Sequence, residues 1–361
     1  MQQKGSVDLW LLLTAGLLLV IGLVSLLSAS SVVSYQEHGS AYWVFLRQLI
    51  FAGIGVVGCI IAMVYPLSHI KKLSSLLLLA SVILLVVVLL IGGEVKGGKR
   101  WIDLGLFSIQ PSEFAKIFLI IFLAHYLSEI KDQIQTFKGL FWALVFMGIV
   151  GGLIVLGKDL GTAVALMGTC YFMLIAAGAK KQHLMILFIL GVGAFLVLAV
   201  IEPYRFNRLM AFLHYEDDPL GDGYQIIQSI YALGSGGILG AGLGKSKQKY
   251  LYLPENHTDF IFPIVGEELG FIGTFTIVSL FTIYAWRGLR IAMRSDDLFR
   301  SLLAVGLTMQ ITFQAFLNIG VVIGLLPVTG ITLPFFSYGG SSLVVSLVNV
   351  GLLLNLSRYA N

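Results

Sequence analysis

The amino-acid sequence predicts an all-α polytopic membrane protein with about ten transmembrane helices. Hydrophobic residues make up 58% of the 361 residues and charged residues only 12%, about half the charged share of a typical soluble protein. Apolar runs of roughly 18 residues or more recur along the chain, and short polar turns separate them. This composition excludes a pair of ordinary soluble domains. The sequence contains no run of basic residues that would predict a nucleic-acid partner.

Ten apolar runs are predicted to span the membrane within a single domain, 1–361. They cover residues 8–30, 43–65, 73–93, 111–128, 139–157, 161–179, 183–201, 259–286, 301–325 and 339–356. The first run is too long for the apolar part of a cleaved signal peptide. Lysines and arginines are more numerous in the short segments on the N-terminal side, so we expect both termini in the cytoplasm.

The unusual sequence lies in the predicted outer loops. The large loop, 202–258, contains a stretch from Tyr224 to Tyr231 with apolar residues at roughly helical spacing, which predicts a short amphipathic helix at the membrane surface. A glycine-rich stretch, 234–244, follows it. The last outer loop, 326–342, is too apolar for solvent and too broken for a helix. It therefore predicts a re-entrant segment packed within protein.

Asp259 is the first candidate for a catalytic residue. Glu255, His257 and Asp259 place three ionisable side chains within five positions, at the start of the eighth span. A carboxylate at the edge of hydrocarbon is unfavourable, and helix capping would explain Asp259 but not its neighbours. We interpret Asp259 as a catalytic residue at the membrane surface. Glu267 and Glu268 lie deeper in this span without an obvious partner, so we expect a polar cavity or a neighbouring helix to receive them.

Glu113 and Lys116 lie three residues apart in the fourth span, so they share one helix face and can pair. Pro111 suits the first helical position, and an acid in the first turn favours the helix dipole. A lysine so near the positive end of a helix is unfavourable unless it is paired. We therefore predict an ion pair that takes part in the site or organises it.

Two further outer segments carry candidates for the site. Asp159 is a good N-cap for the sixth span, either with that role alone or with a second role in the site. Lys99 and Arg100 are adjacent cations with no acid beside them in sequence, which suits an anionic diphosphate. They could equally be snorkelling cations, with Trp101 as an anchor at the membrane interface.

Five motifs in this order resemble one protein family. They are GKRW at 98–101, QPSEFAK at 110–116, DLGT at 159–162, YLPENHTDF at 252–260 and SYGGS at 337–341. The chain resembles the SEDS family (shape, elongation, division and sporulation) of FtsW, RodA and SpoVE. The phrase PVTGITLP at 327–334 is more similar to the division and sporulation branch. One departure is Gly157-Lys158 before Asp159, where Gln-Pro or a similar pair is expected, and it concerns the shape of that turn.

The resemblance implies a peptidoglycan glycosyltransferase of the bacterial cytoplasmic membrane that polymerises lipid II at the outer face. It also implies a class B penicillin-binding protein as partner. The essential carboxylate would be Asp259 and the paired charges Glu113 and Lys116, while Trp101 and Ser337 belong to matching motifs. No cofactor is established, although a divalent cation, Mg²⁺ or Mn²⁺, would suit the diphosphate. The alternatives are a lipid II flippase and a non-catalytic scaffold for the penicillin-binding protein.

Overall fold

The computed structural model describes residues 5–95, 98–105, 107–131, 133–219, 221 and 223–360. Within these ranges the chain forms twelve helices and three short strands. The helices are α1 (Leu9–His38), α2 (Trp43–Val64), α3 (Leu67–Ile91), α4 (Pro111–Glu129), α5 (Phe137–Leu156), α6 (Leu160–Ala176), α7 (Lys181–Ile201), α8 (Pro203–Leu213), α9 (Tyr224–Ser235), α10 (Ile261–Arg294), α11 (Leu298–Val322) and α12 (Gly340–Ser357).

The predicted membrane-spanning helices are confirmed as helices. Among the described residues, nine helices are long and apolar enough to cross a bilayer, and α6 is apolar but only 17 residues long. Helix α11 lies at the centre of the bundle, where it packs against α4, α6, α10 and α12. Helix α7 lies at the periphery of the bundle, since only 6% of the residues in its most apolar 18-residue stretch are buried inside the protein.

The loop between α3 and α4 forms a small antiparallel sheet, which the all-helical prediction missed. Its strands are β1 (Gly93–Val95), β2 (Gly98–Asp103) and β3 (Ser108–Ile109), in the order β1-β2-β3. Strands this short carry too little sequence pattern to be recognised. Side chains alternate along β2, so Lys99 and Trp101 share one face and Arg100 points to the other.

The large loop, 202–258, contains two helices. The predicted amphipathic helix is present as α9, but its apolar face packs against α10 and α11 instead of lying free at the surface. The Ser229 hydroxyl donates a 2.6 Å hydrogen bond to the Val322 carbonyl and so fixes α9 to the end of α11. Helix α8 was not predicted. Its sequence is polar on average, although its apolar residues recur at helical spacing.

Helix α10 is broken at Gly270, where a continuous span was predicted. Gly270 has φ 67° and ψ −165°, a conformation open to glycine and strained for other residues. The break leaves helix N–H and carbonyl groups without partners inside the helix. The glycine-rich stretch supplies them: Gly237 and Ile238 accept from Phe271 and Ile272 at 2.9 and 3.2 Å.

The segment from Ile323 to Gly339 connects α11 to α12 without regular secondary structure. Leu333, Phe335 and Phe336 within it are at most 2% exposed. The Gln48 amide of α2 donates to the Ser337 carbonyl at 3.1 Å and accepts from the Gly339 N–H at 3.2 Å. The predicted packing of this broken apolar loop within protein is therefore confirmed.

Candidate active site

The Asp259 carboxylate lies at the start of α10 and is half-buried. The preceding residues form consecutive turns, in which Glu255 has φ 55° and its carbonyl accepts from the Phe260 N–H at 3.1 Å. The N-cap position of α10 belongs to Phe260, directly after Asp259. A methyl group at Gly330 would lie 3.4 Å from Asp259 Oδ2, which places the carboxylate against the α11–α12 segment.

The backbone on both sides of Asp259 is held by buried side chains. The Asn318 amide of α11 donates to the Asp259 carbonyl at 2.8 Å and to the Ile331 carbonyl at 2.7 Å. The Ser337 hydroxyl donates to the Thr258 carbonyl at 2.5 Å and accepts from the Leu333 N–H at 2.7 Å. Ser337 therefore organises the site through the backbone.

His257 and Glu255 occupy the same turn as Asp259 but have different surroundings. The His257 carbonyl accepts from the Tyr338 N–H at 2.9 Å, and the two rings lie 6.1 Å apart. Burial raises the pKa of the Tyr338 phenol above its ordinary value, against the opposing effect of the Arg47 guanidinium. The Glu255 carboxylate accepts from the Thr258 hydroxyl at 2.8 Å and so closes its own turn.

The predicted ion pair of the fourth span is present and almost fully buried. Lys116 Nζ lies 3.0 Å from Glu113 Oε1, and their side chains are 3% and 6% exposed. Lys116 also donates to the Gln314 amide oxygen at 2.8 Å, and Gln314 in turn donates to the Thr332 carbonyl at 3.0 Å. The pair is therefore connected through Gln314 to the α11–α12 segment.

The predicted capping role of Asp159 is confirmed. Asp159 Oδ1 accepts from the Thr162 N–H at 3.2 Å, and Oδ2 accepts from the Gln110 amide at 3.2 Å. Lys158, which precedes it, has φ 63°. Proline is locked near −65°, so the departure from the family motif gives this turn a shape that a proline there could not adopt.

Arg100 faces an acid, which corrects the expectation of two adjacent cations without one. Its guanidinium lies 3.9 Å from Asp159 and donates to the carbonyls of Gly157, at 3.3 Å, and Lys158. Arg100 thus fastens the β2 strand to the α5–α6 turn. Lys99 is exposed and Trp101 half-buried, and the alternation of β2 turns both away from this contact.

These contacts meet at one short segment, 329–332. A methyl group at Gly161, two residues beyond Asp159, would lie 2.7 Å from the Thr329 carbonyl. Gly330 approaches Asp259, Ile331 is bound by Asn318, and Thr332 is bound by Gln314. The structure therefore gathers Asp159, Asp259, and the Glu113–Lys116 pair around one stretch of backbone.

Sequence reasoning missed the two amides that make this connection. Gln314 and Asn318 lie four residues apart on α11, and Gln310 precedes them by four, so all three share one helix face. Polar side chains are rare in transmembrane helices and usually face the interior of the bundle. A row of three amides in an apolar span was the signal that could have identified them.

A group of side chains suited to a resident metal ion is not found in the described ranges. No three or more His, Cys, Asp or Glu side chains there lie close enough to hold one. Both oxygens of Asp159 already accept hydrogen bonds from Thr162 and Gln110. The described residues therefore do not by themselves form a site for a divalent cation.

Comparison with known proteins gives a consistent result over the full chain. The family model described as "Cell cycle protein", FtsW/RodA/SpoVE, matches residues 8–361. The chain is 47% identical to stage V sporulation protein E of Bacillus subtilis over 363 aligned positions, with 99% of each chain covered. It is 46% identical to the probable peptidoglycan glycosyltransferase FtsW of Trichlorobacter lovleyi, over 97% of this chain and 93% of that protein.

Two solved structures have the same fold. A chain from a peptidoglycan synthase complex, studied for the structural coordination of polymerization and crosslinking, superposes with a TM-score of 0.81 at 28% identity. That match covers 98% of this chain and 99% of the other. The rod shape determining protein RodA of Thermus thermophilus superposes with a TM-score of 0.73 at 27% identity, over 98% and 97% of the two chains.

Proposed function

Because this chain belongs to the FtsW/RodA/SpoVE family of cell cycle proteins, we propose that it polymerises lipid II into glycan strands at the outer face of the cytoplasmic membrane. The enzyme is a peptidoglycan glycosyltransferase, as several relatives are named. One observation of this chain carries the assignment of the site: Asp259 is half-buried beside Gly330, while Asn318 and Ser337 hold the backbone around it.

Asp259 acts as general base toward the acceptor sugar. The 4-hydroxyl of the acceptor N-acetylglucosamine attacks C1 of the donor sugar, and Asp259 takes the hydroxyl proton. A C1–oxygen bond forms, the bond from C1 to the diphosphate breaks, and undecaprenyl diphosphate leaves with the bonding electrons. A single displacement inverts the α-linked donor into a β-linked product. A fixed backbone favours this step, because small misplacements of a catalytic group reduce the rate strongly.

The exposed face of β2 is the proposed contact for the diphosphate. Lys99 lies on that face, whereas Arg100 is engaged with the α5–α6 turn and Asp159. We therefore assign direct charge stabilisation to Lys99 and a positioning role to Arg100. A divalent cation would add charge stabilisation at the diphosphate, and no step above depends on it.

An apolar cavity next to the site suits a lipid tail. It has a volume of about 460 Å³ and lies between α9, α10 and α11, with Leu233, Phe262, Val278 and Ile319 in its lining. Phe262 lies three residues beyond Asp259 and Ile319 follows Asn318, so the lining adjoins residues of the proposed site. We propose that a polyprenyl chain occupies it while the sugar reaches Asp259.

A class B penicillin-binding protein is the proposed partner. The solved chain with the TM-score of 0.81 comes from a complex that coordinates polymerization with crosslinking, and its fold covers 98% of this chain. Crosslinking is chemistry that the proposed site does not perform. A second protein must therefore supply it.

The flippase alternative requires a polar route through the bilayer. The buried charges of α4 are instead paired with one another at 3.0 Å and closed off by Gln314. Deeper along α11, the Gln310 amide oxygen accepts from Asn349 at 3.1 Å. Internally bonded groups of this kind favour chemistry at one end of the bundle over transport.

The decisive experiment uses the purified protein with its penicillin-binding partner and supplied lipid II. We expect glycan strands on a gel from the native complex and a 10²- to 10⁴-fold lower rate from Asp259→Asn, the usual contribution of a general base. Glu216→Gln, an exposed acid in the same large loop, is the matched control and should keep the native rate. Repeating the assay with EDTA tests the divalent cation.

Each other outcome points to a different function. Equal polymer from native protein and a folded, partner-bound Asp259→Asn variant would remove Asp259 as the base and redirect attention to Asp159 or Glu113. No polymer from either protein, together with lipid II crossing liposomes in a separate assay, would support the flippase. If the penicillin-binding partner formed equal polymer when the carboxylates of this chain were neutralised, that result would support the non-catalytic scaffold.

A further inference from the structure

Two adjacent carboxylates are buried in the first part of α10, away from the reacting groups. Glu267 and Glu268 are 4% and 2% exposed, and Lys249 beside them is 4% exposed. Burying charge is strongly unfavourable unless each group is paired or hydrogen-bonded. The sequence predicted a polar cavity or a neighbouring helix around these acids, and the structure places the large loop and helix α1 there.

Glu267 binds one turn of the large loop. Its carboxylate accepts from the Ser246 hydroxyl, from the Lys247 N–H at 2.9 Å and from the Gln248 N–H at 3.2 Å. All three donors come from consecutive residues, so a single side chain of α10 fixes the path of the loop there. A glutamine could not replace Glu267, because its amide nitrogen is a donor and would face these donors instead of accepting from them.

Glu268 and Lys249 join this turn to helix α1. Glu268 Oε1 accepts from the Ser28 hydroxyl of α1 at 2.6 Å, from Lys249 Nζ at 3.3 Å and from the Ser246 N–H at 3.3 Å. Lys249 Nζ also lies 3.1 Å from Ser28 Oγ and donates to the Gly244 carbonyl at 2.6 Å. The expected neighbouring helix is therefore α1, although most contacts come from the loop.

The same turn is connected to the backbone that carries Asp259. The Lys249 carbonyl accepts from the Asn256 amide at 3.1 Å, and Asn256 is only 1% exposed. His257 follows directly and is bound through its carbonyl by Tyr338. The loop between the carboxylates and Asp259 is thus held at both ends and has little freedom to shift.

The broken helix reinforces this arrangement. The main-chain carbonyls of Glu267 and Glu268 accept from the Ala241 and Gly242 N–H groups at 2.9 and 3.0 Å, just before the break at Gly270. The two residues therefore bind the loop through both backbone and side chain.

We propose that Glu267, Glu268 and Lys249 are positioning residues that set the place of Asp259 through the loop residues 246–256. The proposal rests on the function proposed above, since it assumes that Asp259 is the base. The three side chains do not touch the substrate. Their loss moves the base relative to the acceptor hydroxyl, which lowers kcat while leaving the affinity for lipid II nearly unchanged.

The test compares variants in the polymerisation assay with the penicillin-binding partner. We expect Glu267→Gln to lower kcat at least tenfold with less than a threefold change in KM for lipid II. Hydrogen exchange of residues 246–258 should rise in this variant, while the second part of α10 stays protected. Glu216→Gln is the matched control for both readouts, and Ser28→Ala is a milder variant in case Glu267→Gln does not fold.

Lys249 and Glu268 allow a charge-compensation test. Glu268→Gln and Lys249→Met each leave one buried charge without its partner, so each should lower kcat at least tenfold. The double variant removes both charges and keeps the Glu267 contacts, so kcat should return to within about threefold of native. Additive losses in the double variant would contradict the proposal.

Two further results separate this proposal from the function it rests on. A higher KM with unchanged kcat in Glu267→Gln would show that the cluster binds substrate and would overturn the positioning role. If Asp259→Asn polymerises like native protein, the base assignment falls. In that case, unchanged hydrogen exchange of residues 246–258 in Glu267→Gln would also refute the claim that the carboxylates hold the loop.

Discussion

At the scale of single residues, Asp259 is distinguished by the hydrogen bonds that fix the backbone around it. Asn318 and Ser337 bind the carbonyls of Asp259 and Thr258, and Gly330 approaches the carboxylate from the facing segment. Gly330 has φ 72°, in the left-handed region that favours glycine. The approach of backbone to carboxylate therefore depends on a residue without a side chain.

Gly330→Ala tests this dependence. The added methyl would lie 3.4 Å from Asp259 Oδ2, and the positive φ would be strained by on the order of 1–3 kcal/mol. We expect the polymerisation rate to fall at least tenfold while the protein still folds and binds its partner. Gly16→Ala is the matched control, since a methyl at this exposed helical position meets nothing within 4 Å. Native activity in Gly330→Ala would show that the segment tolerates a shift.

At the scale of elements, α11 is the helix that organises the site. Gln314 and Asn318 lie one turn apart and bind Thr332 and Ile331, so the irregular segment after α11 folds back onto the helix it leaves. Gln314 also accepts from Lys116 of α4. An ion pair within α4 is thereby coupled to the backbone beside Asp259 through a single side chain of α11.

Breaking that ion pair should destabilise the bundle. Lys116→Met leaves Glu113 buried and uncompensated, and removing one partner of a buried pair costs about 3–5 kcal/mol. We expect Lys116→Met to have a clearly lower melting temperature than native protein in detergent. Tryptophan fluorescence measures the unfolding. The double variant Glu113→Gln, Lys116→Met should melt closer to native protein than the single variant does.

A surface pair provides the control for this measurement. Lys71 and Glu129 lie 2.9 Å apart but are 34% and 61% exposed, and ion pairs in contact with solvent contribute little to stability. Lys71→Met should therefore change the melting temperature little. If Lys116→Met melts like Lys71→Met, the buried pair does not support the fold.

At the scale of the whole molecule, the two ends of the bundle differ in character. One end gathers the β-sheet, the α5–α6 turn, the large loop and the α11–α12 segment around Asp259. The opposite end carries the arginines around the α10–α11 turn, and Arg287 there binds Asp8 near the N-terminus at 2.5 Å. This division of charge is typical of a protein whose arginine-rich end faces the cytoplasm.

Cysteine labelling tests that orientation. In a variant without Cys59 and Cys170, we expect Glu216→Cys to react with a membrane-impermeant maleimide added to intact cells. Asp296→Cys, in the α10–α11 turn, should react only after permeabilisation. Both positions are exposed, so access to the reagent depends on the side of the membrane alone. The reverse labelling pattern would place Asp259 at the cytoplasmic face and would end the proposal of outer-face polymerisation.

The α-helical membrane fold followed from the sequence, because long apolar runs can satisfy their backbone in a bilayer only as helices. Among the described residues, nine of the predicted spans are helices long enough to cross a bilayer. The pairing of Glu113 with Lys116 and the capping by Asp159 also followed, since both depend on neighbours three residues apart. The resemblance of five motifs identified the family. Local spacing and composition were sufficient for the fold, the ion pair and the cap, whereas the family came from the resemblance.

Only the tertiary structure decided which groups bind Arg100, Glu267 and Glu268. It alone also decided that α10 breaks at Gly270. Each depends on a contact between segments distant in sequence, such as Ser28 of α1 with Glu268 of α10. Periodicity reports which face of a helix is apolar but not which loop will meet its polar groups. Buried hydrogen-bonding groups require partners wherever the fold places them, so these partners become known only when the packing is known.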